Sequence, residues 1–246
     1  MSRRRGRPSR PRDAGRMSPL RFEGPPPPPP LPLPASGEGV HFAMSGHNLI
    51  LEGLVTTLNP DRSVNISPMG PQVDREITRL CLRPYQTSRT YQNLKRHGEG
   101  VFHVTDDVEL LARCAVGTLP SPPRLKPAVG IDGQIIADAC RWYAFRVVDC
   151  DDSQERTRIG CEVVAHGSMR DFFGFNRAKH AVVEAAILAT RIHLLQPDEV
   201  ERQMRQLAVW VEKTGGEQEQ RAFEFLKAYV DGHSDDSAER RGDSGA

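Results

Sequence analysis

The chain has 246 residues, of which 33 are basic and 32 acidic, giving a net charge of +1, with 38% hydrophobic residues and a mean hydropathy of −0.50. That length holds one large domain or two small ones, and no apolar run is long enough for a membrane-spanning helix. The charge balance conceals an asymmetry. Residues 1–43 carry eight arginines, three acids and 11 of the 20 prolines, so the rest of the chain has 25 basic against 29 acidic residues. A mildly acidic body argues against a nucleic-acid-binding surface there.

The tail has no apolar h-region, so it is not a secretory signal, and the proline run at 25–30 excludes a transit helix. It reads as an over-extended translation start with Met44 as the natural beginning, or as a solvated disordered arm. A nucleic-acid arm and a proline-rich ligand are the alternatives. Five cysteines (Cys81, Cys114, Cys140, Cys150 and Cys161) make an odd count with no CxxC spacing. Free thiols in a reducing cytoplasm are the expectation, not disulfides or zinc ligands.

In chain order, residues 48–58 read as a strand, Asn59-Pro60-Asp61-Arg62 as a turn and 63–68 as the returning strand of a hairpin. Residues 77–83 form a third strand. Residues 87–97 form a short helix stopped by Gly98, and 100–105 a buried strand. A helix over 106–116 has Asp106 as N-cap and Glu109 three residues on. A proline-punctuated loop at 117–133 precedes two long strands, 140–150 and 157–166, joined by a charged turn. The first of these is apolar at nearly every position and belongs in the middle of a sheet. At Asn176 the period changes, and helices follow over 176–195, 197–214 and 217–231. Strands first and helices last argue for an α+β chain, a closed or nearly closed β domain with a helical C-terminal subdomain.

Two helix starts break the rule that acids favour the first turn. Thr87-Ser88-Arg89-Thr90 has an arginine and no acid, and Asn176-Arg177-Ala178-Lys179-His180 is basic as well. Each misplacement costs about 0.3–1 kcal/mol, and a bound anion would remove the conflict. The first start also supplies hydroxyls, so it reads as a phosphate cradle. The second is served equally well by a salt bridge to another helix or subunit. His103 reads as a core histidine, and His180 with Glu184 as a helical pair, not a metal site. There is no P-loop, no G-x-S-x-G and no HxxxH. The absence of acid/base or nucleophilic machinery suits a protein whose chemistry belongs to a cofactor.

The order of Asn65-Ile66-Ser67-Pro68-Met69-Gly70, then Thr87-Ser88-Arg89-Thr90-Tyr91-Gln92-Asn93-Leu94, then Gly100-Val101-Phe102-His103-Val104 resembles the FMN-binding split barrels. That superfamily holds flavin reductases, flavoredoxins and pyridoxamine-phosphate oxidase-like proteins. More closely, the chain resembles the domain-of-unknown-function family numbered 447, the likeness extending to Asp106-Asp107-Val108 and to the segment from Phe175 to Ala186. The resemblance implies a six-stranded split barrel, placed over 44–175 with the helical subdomain over 176–232; it excludes both tails, and the polar residues 233–246 read as a disordered tail. It implies a homodimer with FMN as cofactor near the subunit interface, contacted by Asn65, Ser67, Met69, Gly70, Arg83, Thr87, Ser88, Thr90 and Asn93. The dipole argument adds Arg89. Arg177, Lys179 and His180 are candidates for binding an anionic or pterin-like substrate. The implied activity is that of a cytoplasmic FMN-dependent oxidoreductase, in a family associated with methanopterin-linked one-carbon metabolism. A non-catalytic FMN-binding or interaction protein is the alternative.

Overall fold

The computed structural model describes residues 49–242, with 234–242 described by backbone alone. The expectations for residues 1–43, and for the end of the C-terminal tail, lie outside the described residues. The elements run β1 (Leu49–Ile50), β2 (Gly53–Leu58), β3 (Val64–Met69), β4 (Gln72–Val73), β5 (Arg79–Leu82), α1 (Arg89–His97), β6 (Glu99–Val104) and α2 (Val108–Ala115). They continue with β7 (Leu125–Pro127), β8 (Gln134–Ile136), β9 (Arg141–Asp151), β10 (Arg158–Ser168), α3 (Arg177–Ala189), α4 (Pro197–Thr214) and α5 (Glu217–Gly242). A 3₁₀ turn, Ile192–Leu194, separates α3 from α4.

Eight strands form one antiparallel sheet in the order β1-β4-β5-β10-β9-β6-β2-β3, and β7 and β8 pair separately. β3 and β4 lie toward opposite edges of that order, yet only Gly70 and Pro71 separate them in the chain. The sheet therefore curls on itself into a half-barrel. β9, apolar along most of its length, sits between β10 and β6 as its sequence requires. The barrel interior is filled by Val55, Leu80, Leu82, Leu94, Phe102, Tyr143 and Phe145. Gly53 lets β2 lie against β6, because a Cβ there would stand 2.2 Å from the His103 carbonyl oxygen.

A second core joins the helices to the sheet. Small residues of α3 (Ala178, Ala181, Ala185, Ala186) pack with Leu111 of α2, Met204 of α4 and Leu226 of α5, and with Leu54 of β2 and Ile136 of β8. Alanine at these positions allows close helix approach while costing little helix propensity. The fold is α+β, a curled barrel sheet followed by C-terminal helices, as expected.

Several local expectations change. The strand at 48–58 is broken at Leu51 and Glu52, since β1 pairs with β4 while β2 pairs with β3 and β6. With the two-residue strips β1 and β4, the sheet has eight strands, not six. β5 starts at Arg79 because Ile77 adopts a positive φ of 53° in the preceding turn, where Asp74 accepts from the Thr78 amide. The N-cap of α2 is Asp107, whose Oδ1 accepts from the Leu110 amide at 2.9 Å. Asp106 instead receives the Arg170 guanidinium and, at 2.8 Å, the Phe173 amide. Arg170 foremost holds its carboxyl down to about 2, against the opposing effect of burial. The proline loop contains β7, α3 stops at Ala189, and α5 continues past residue 231.

His103 is fully buried, with Nδ1 at 3.2 Å from the Leu54 carbonyl oxygen and Nε2 accepting from the Ile136 amide at 3.0 Å. Those partners fix a neutral ring with its proton on Nδ1. Burial pushes its pKa down from 6.5 to about 4. The unfolded chain thus takes up a proton the folded chain refuses, and stability falls as pH drops through that window, by about 3 kcal/mol in total. His103→Leu should lower the melting temperature at neutral pH, since it leaves two backbone groups unpaired. It should also flatten the dependence of unfolding free energy on pH between 6.5 and 4, measured by chemical denaturation.

Candidate functional site

α1 begins at a loop with a fixed internal geometry. The Ser88 amide donates to the Tyr85 carbonyl at 2.9 Å, and Ser88, not Thr87, is the N-cap, its Oγ accepting from the Tyr91 amide at 3.2 Å. The Gln92 amide donates to the Ser88 carbonyl at 3.2 Å. The amides of Arg89 and Thr90, at N1 and N2, have no intrahelical acceptor, as at any helix start. The first turn contains no acid, while Lys95, Arg96 and His97 crowd the last. Gly98 ends the helix in the left-handed region at φ 73°.

A polar joint fixes this helix to the β2–β3 hairpin. Asn93 Nδ2 donates to Thr57 Oγ1 at 3.0 Å and to Asn59 Oδ1 at 2.8 Å. Asn65 Nδ2 lies 3.3 Å from Thr57 Oγ1 and 3.2 Å from Thr90 Oγ1. Thr57, Thr90 and Asn93 are at most 3% exposed. Beside this joint, and sharing Asn59 and Asn65 with it, an open cleft of ≈ 500 Å³ is lined by Asn59, Pro60, Asp61, Val64, Asn65, Ile66 and Arg89. The Ser63 hydroxyl and amide, then at longer range Arg89, hold the Asp61 carboxyl below its usual range. Asp61 is therefore ionised on the cleft's lip and partly offsets the Arg89 charge.

The structure thus brings Asn65, Arg89, Thr90 and Asn93 together, with Ser88 at the helix cap. Thr90 and Asn93 spend their polar atoms on the joint, and only Asn65 and Arg89 of this set line the cleft. Ser67 and Met69 continue along the same face of β3, half-exposed, with Met69 packed on the barrel core. Gly70 forms the corner beneath Glu52, whose carboxylate would lie 2.8 Å from a Cβ there. Arg83 and Thr87 are exposed on the loop before α1, outside the cleft lining.

The basic start of α3 is answered within the fold. Lys179 Nζ donates to Glu219 Oε1 of α5 at 2.7 Å and to the Asp106 carbonyl at 2.8 Å. Arg177 stacks over Trp210 at 4.7 Å, and His180 against the exposed ring of Phe175. Sequence reasoning missed Thr57, Asn59 and Asp61. The available signal was Thr56-Thr57, two hydroxyls in an otherwise apolar strand. Among the described residues, no group of three or more His, Cys, Asp or Glu is placed to hold a metal, and no helix is long and apolar enough to cross a membrane.

Residues 51–170 match the family model for the N-terminal domain of a protein family of unknown function, DUF447, and residues 176–228 match its second domain. The chain belongs to the DUF447 family. An FMN-bound DUF447 protein from Methanosarcina mazei superposes with a TM-score of 0.64 at 21% identity, covering 74% of this chain and 96% of that one. A 2-nitrobenzoate 2-nitroreductase from Pseudomonas fluorescens gives 0.42 at 19% identity, over 50% of this chain and 66% of that one. Flavoredoxin from Methanosarcina acetivorans gives 0.42 at 14%, over 51% and 74%. No curated protein sequence matches the chain. At these identities the DUF447 superposition establishes the shared fold, and the two looser ones bear no further argument.

Because Asn93 is the donor to two acceptors of the hairpin, Asn93→Ala should destabilise the ligand-free protein by about 1–3 kcal/mol. Asn93→Asp should be worse, since an ionised carboxylate cannot donate to either acceptor. Urea unfolding followed by circular dichroism measures both.

Proposed function

We propose that this DUF447 protein binds FMN in the cleft between β3 and the start of α1, and that it is an oxidoreductase of the flavin reductase type. The observation that carries the reading is the α1 start, with Arg89 at N1, two amides without helical acceptors and no acid in the turn, opening on a cleft large enough for a ligand. An FMN-bound member of the same family supports the choice of anion.

The residues present suit a phosphate ester. The Arg89 guanidinium and the Arg89 and Thr90 amides offer charge-assisted donors to its oxygens, and Ser88, Thr87 and Arg83, on the cap and loop outside the cleft lining, are proposed as further contacts. Asn65, Ser67, Met69 and Gly70 make the second wall along β3. When bound, FMN supplies hydride or single-electron transfer. The chain's own part is to seat and orient the cofactor, and Asn93 and Thr90 do so from beneath by holding the helix. The same reading makes the protein a cytoplasmic homodimer linked to one-carbon metabolism. Arg177 and His180, exposed at the start of α3, are its proposed contacts to an anionic substrate, whereas Lys179 holds the helices to the barrel.

Purified protein should retain or take up FMN with a visible flavin spectrum and gain thermal stability from it. Arg89→Ala should weaken FMN binding about 10–100-fold, the worth of a charge-assisted hydrogen bond, and leave riboflavin binding nearly unchanged. The absence of a flavin band or thermal shift in the wild type would defeat the reading. Oxidation of a reduced nicotinamide by the bound flavin would favour the enzyme, and tight binding without turnover the non-catalytic alternative.

A further inference from the structure

The turn between β9 and β10 is distant in sequence from α1, yet it grips the helix start from both sides. Before the helix, Gln86 Nε2 donates to the carbonyls of Asp152 at 2.8 Å and Gln154 at 3.0 Å, and the Gln86 amide to Glu155 O at 3.0 Å. Thr157 donates to the Pro84 carbonyl through both its amide, at 3.0 Å, and its hydroxyl, at 2.8 Å. Within the helix, Tyr91 OH donates to Asp152 Oδ2 at 2.6 Å, and Lys95 Nζ reaches the same oxygen at 2.6 Å and the phenol oxygen at 3.0 Å. Tyr91 is 7% exposed, so its ring direction is set by the barrel core.

The turn is itself braced, since Asp151 Oδ1 accepts from the Ser153 amide at 3.1 Å and from its hydroxyl at 2.6 Å. It is therefore an anchor and not a passive loop. Ser88 and Arg89 lie between the two gripped positions, Gln86 and Tyr91. An exposed lysine–aspartate pair contributes little by itself, so the bond from the buried tyrosine does most to fix the direction of the helix.

We infer that Tyr91 and Asp152, supported by Lys95 and Gln86, are positioning residues that hold the Ser88–Arg89–Thr90 backbone in the geometry that receives an anion. The inference rests on the proposed phosphate seat, but its first readout does not require that FMN be the ligand. The charges that meet at this contact are Asp152 and Lys95, with Asp151 of the same turn acting on Asp152 as a like charge, and none of the three lines the cleft.

The test is made on full-length protein with Asp152→Asn and, as a variant that keeps the buried ring, Tyr91→Phe. Hydrogen exchange at the Tyr91 and Gln92 amides should accelerate about tenfold or more while that of α3 and α4 stays unchanged. FMN affinity should fall about tenfold with riboflavin affinity held, reducing the FMN-over-riboflavin preference. A purely structural role would lower the melting temperature while leaving that preference intact. Unchanged exchange in the first turn, or an unchanged preference, would overturn the inference. If the wild type binds no FMN, inorganic phosphate serves as the probe. Protection of the Arg89 and Thr90 amides by phosphate in the wild type, and its loss in the variants, would sustain the positioning role while the flavin reading falls. No protection in the wild type would end both.

Discussion

The site depends on a small polar joint, Thr57 and Asn59 on the hairpin against Thr90 and Asn93 on α1, with Asn65 bridging them. A nine-residue helix is too short to persist alone in water. Its apolar contribution to the barrel is essentially Tyr91 and Leu94, which fixes which face turns inward but leaves the helix free to slide along its axis. Directional bonds remove that freedom. Because Thr57, Thr90 and Asn93 are buried, an unmet donor or acceptor among them is expensive, and the register is held by satisfying them. The β2–β3 hairpin and the start of α1 are for this reason one mechanical unit, not two surfaces that happen to face each other.

The two basic helix starts show how context decides the meaning of one sequence signal. Both put positive charge where the helix dipole is already positive. At α3 the conflict is relieved from within, by a Glu219 carboxylate 2.7 Å from Lys179, two side chains that are only 9% and 15% exposed. At α1 no salt bridge to Arg89 forms among the described residues, and Asp61 interacts with it at longer range. The answered start is a joint between the helices and the barrel, and the unanswered one faces a cleft. The sequence favours the first as the anion site only through its hydroxyls, and it does not name the partner of Lys179, which lies forty positions away on another helix.

What was legible in the sequence was what short-range chemistry determines. Proline at the first turn of α4 and glycine after its last fixed that helix, Gly98 fixed the end of α1, and the apolar run of β9 placed it inside the sheet. Illegible features depended on distant partners. Local rules favour Asp106 as the cap, with Glu109 three residues on, but Arg170, 64 residues away, claims its carboxylate and Asp107 caps the helix instead. The break between β1 and β2 is likewise set by β4 and β6, not by the strand-like residues themselves. In the site, the polar character of Asn65, Thr90 and Asn93 could be read. Their division of labour could not, because it requires Thr57 and Asn59 as their partners.

That division has a consequence for selectivity. Ser88 already consumes the Tyr91 amide through its side chain and the Gln92 amide through its carbonyl, and Thr90 and Asn93 are committed below. The donors left at the helix start are the N1 and N2 amides and the Arg89 guanidinium. Together they carry a positive charge that Asp61 offsets at longer range. A phosphate monoester presents three terminal oxygens and up to two charges to such a set, whereas a carboxylate presents two oxygens and one charge. On the proposed reading, selectivity for phosphate over carboxylate would come from the number of donors, and it would depend on their being held still. A loose helix start would keep the charge attraction but lose the directional bonds that discriminate between the two anions.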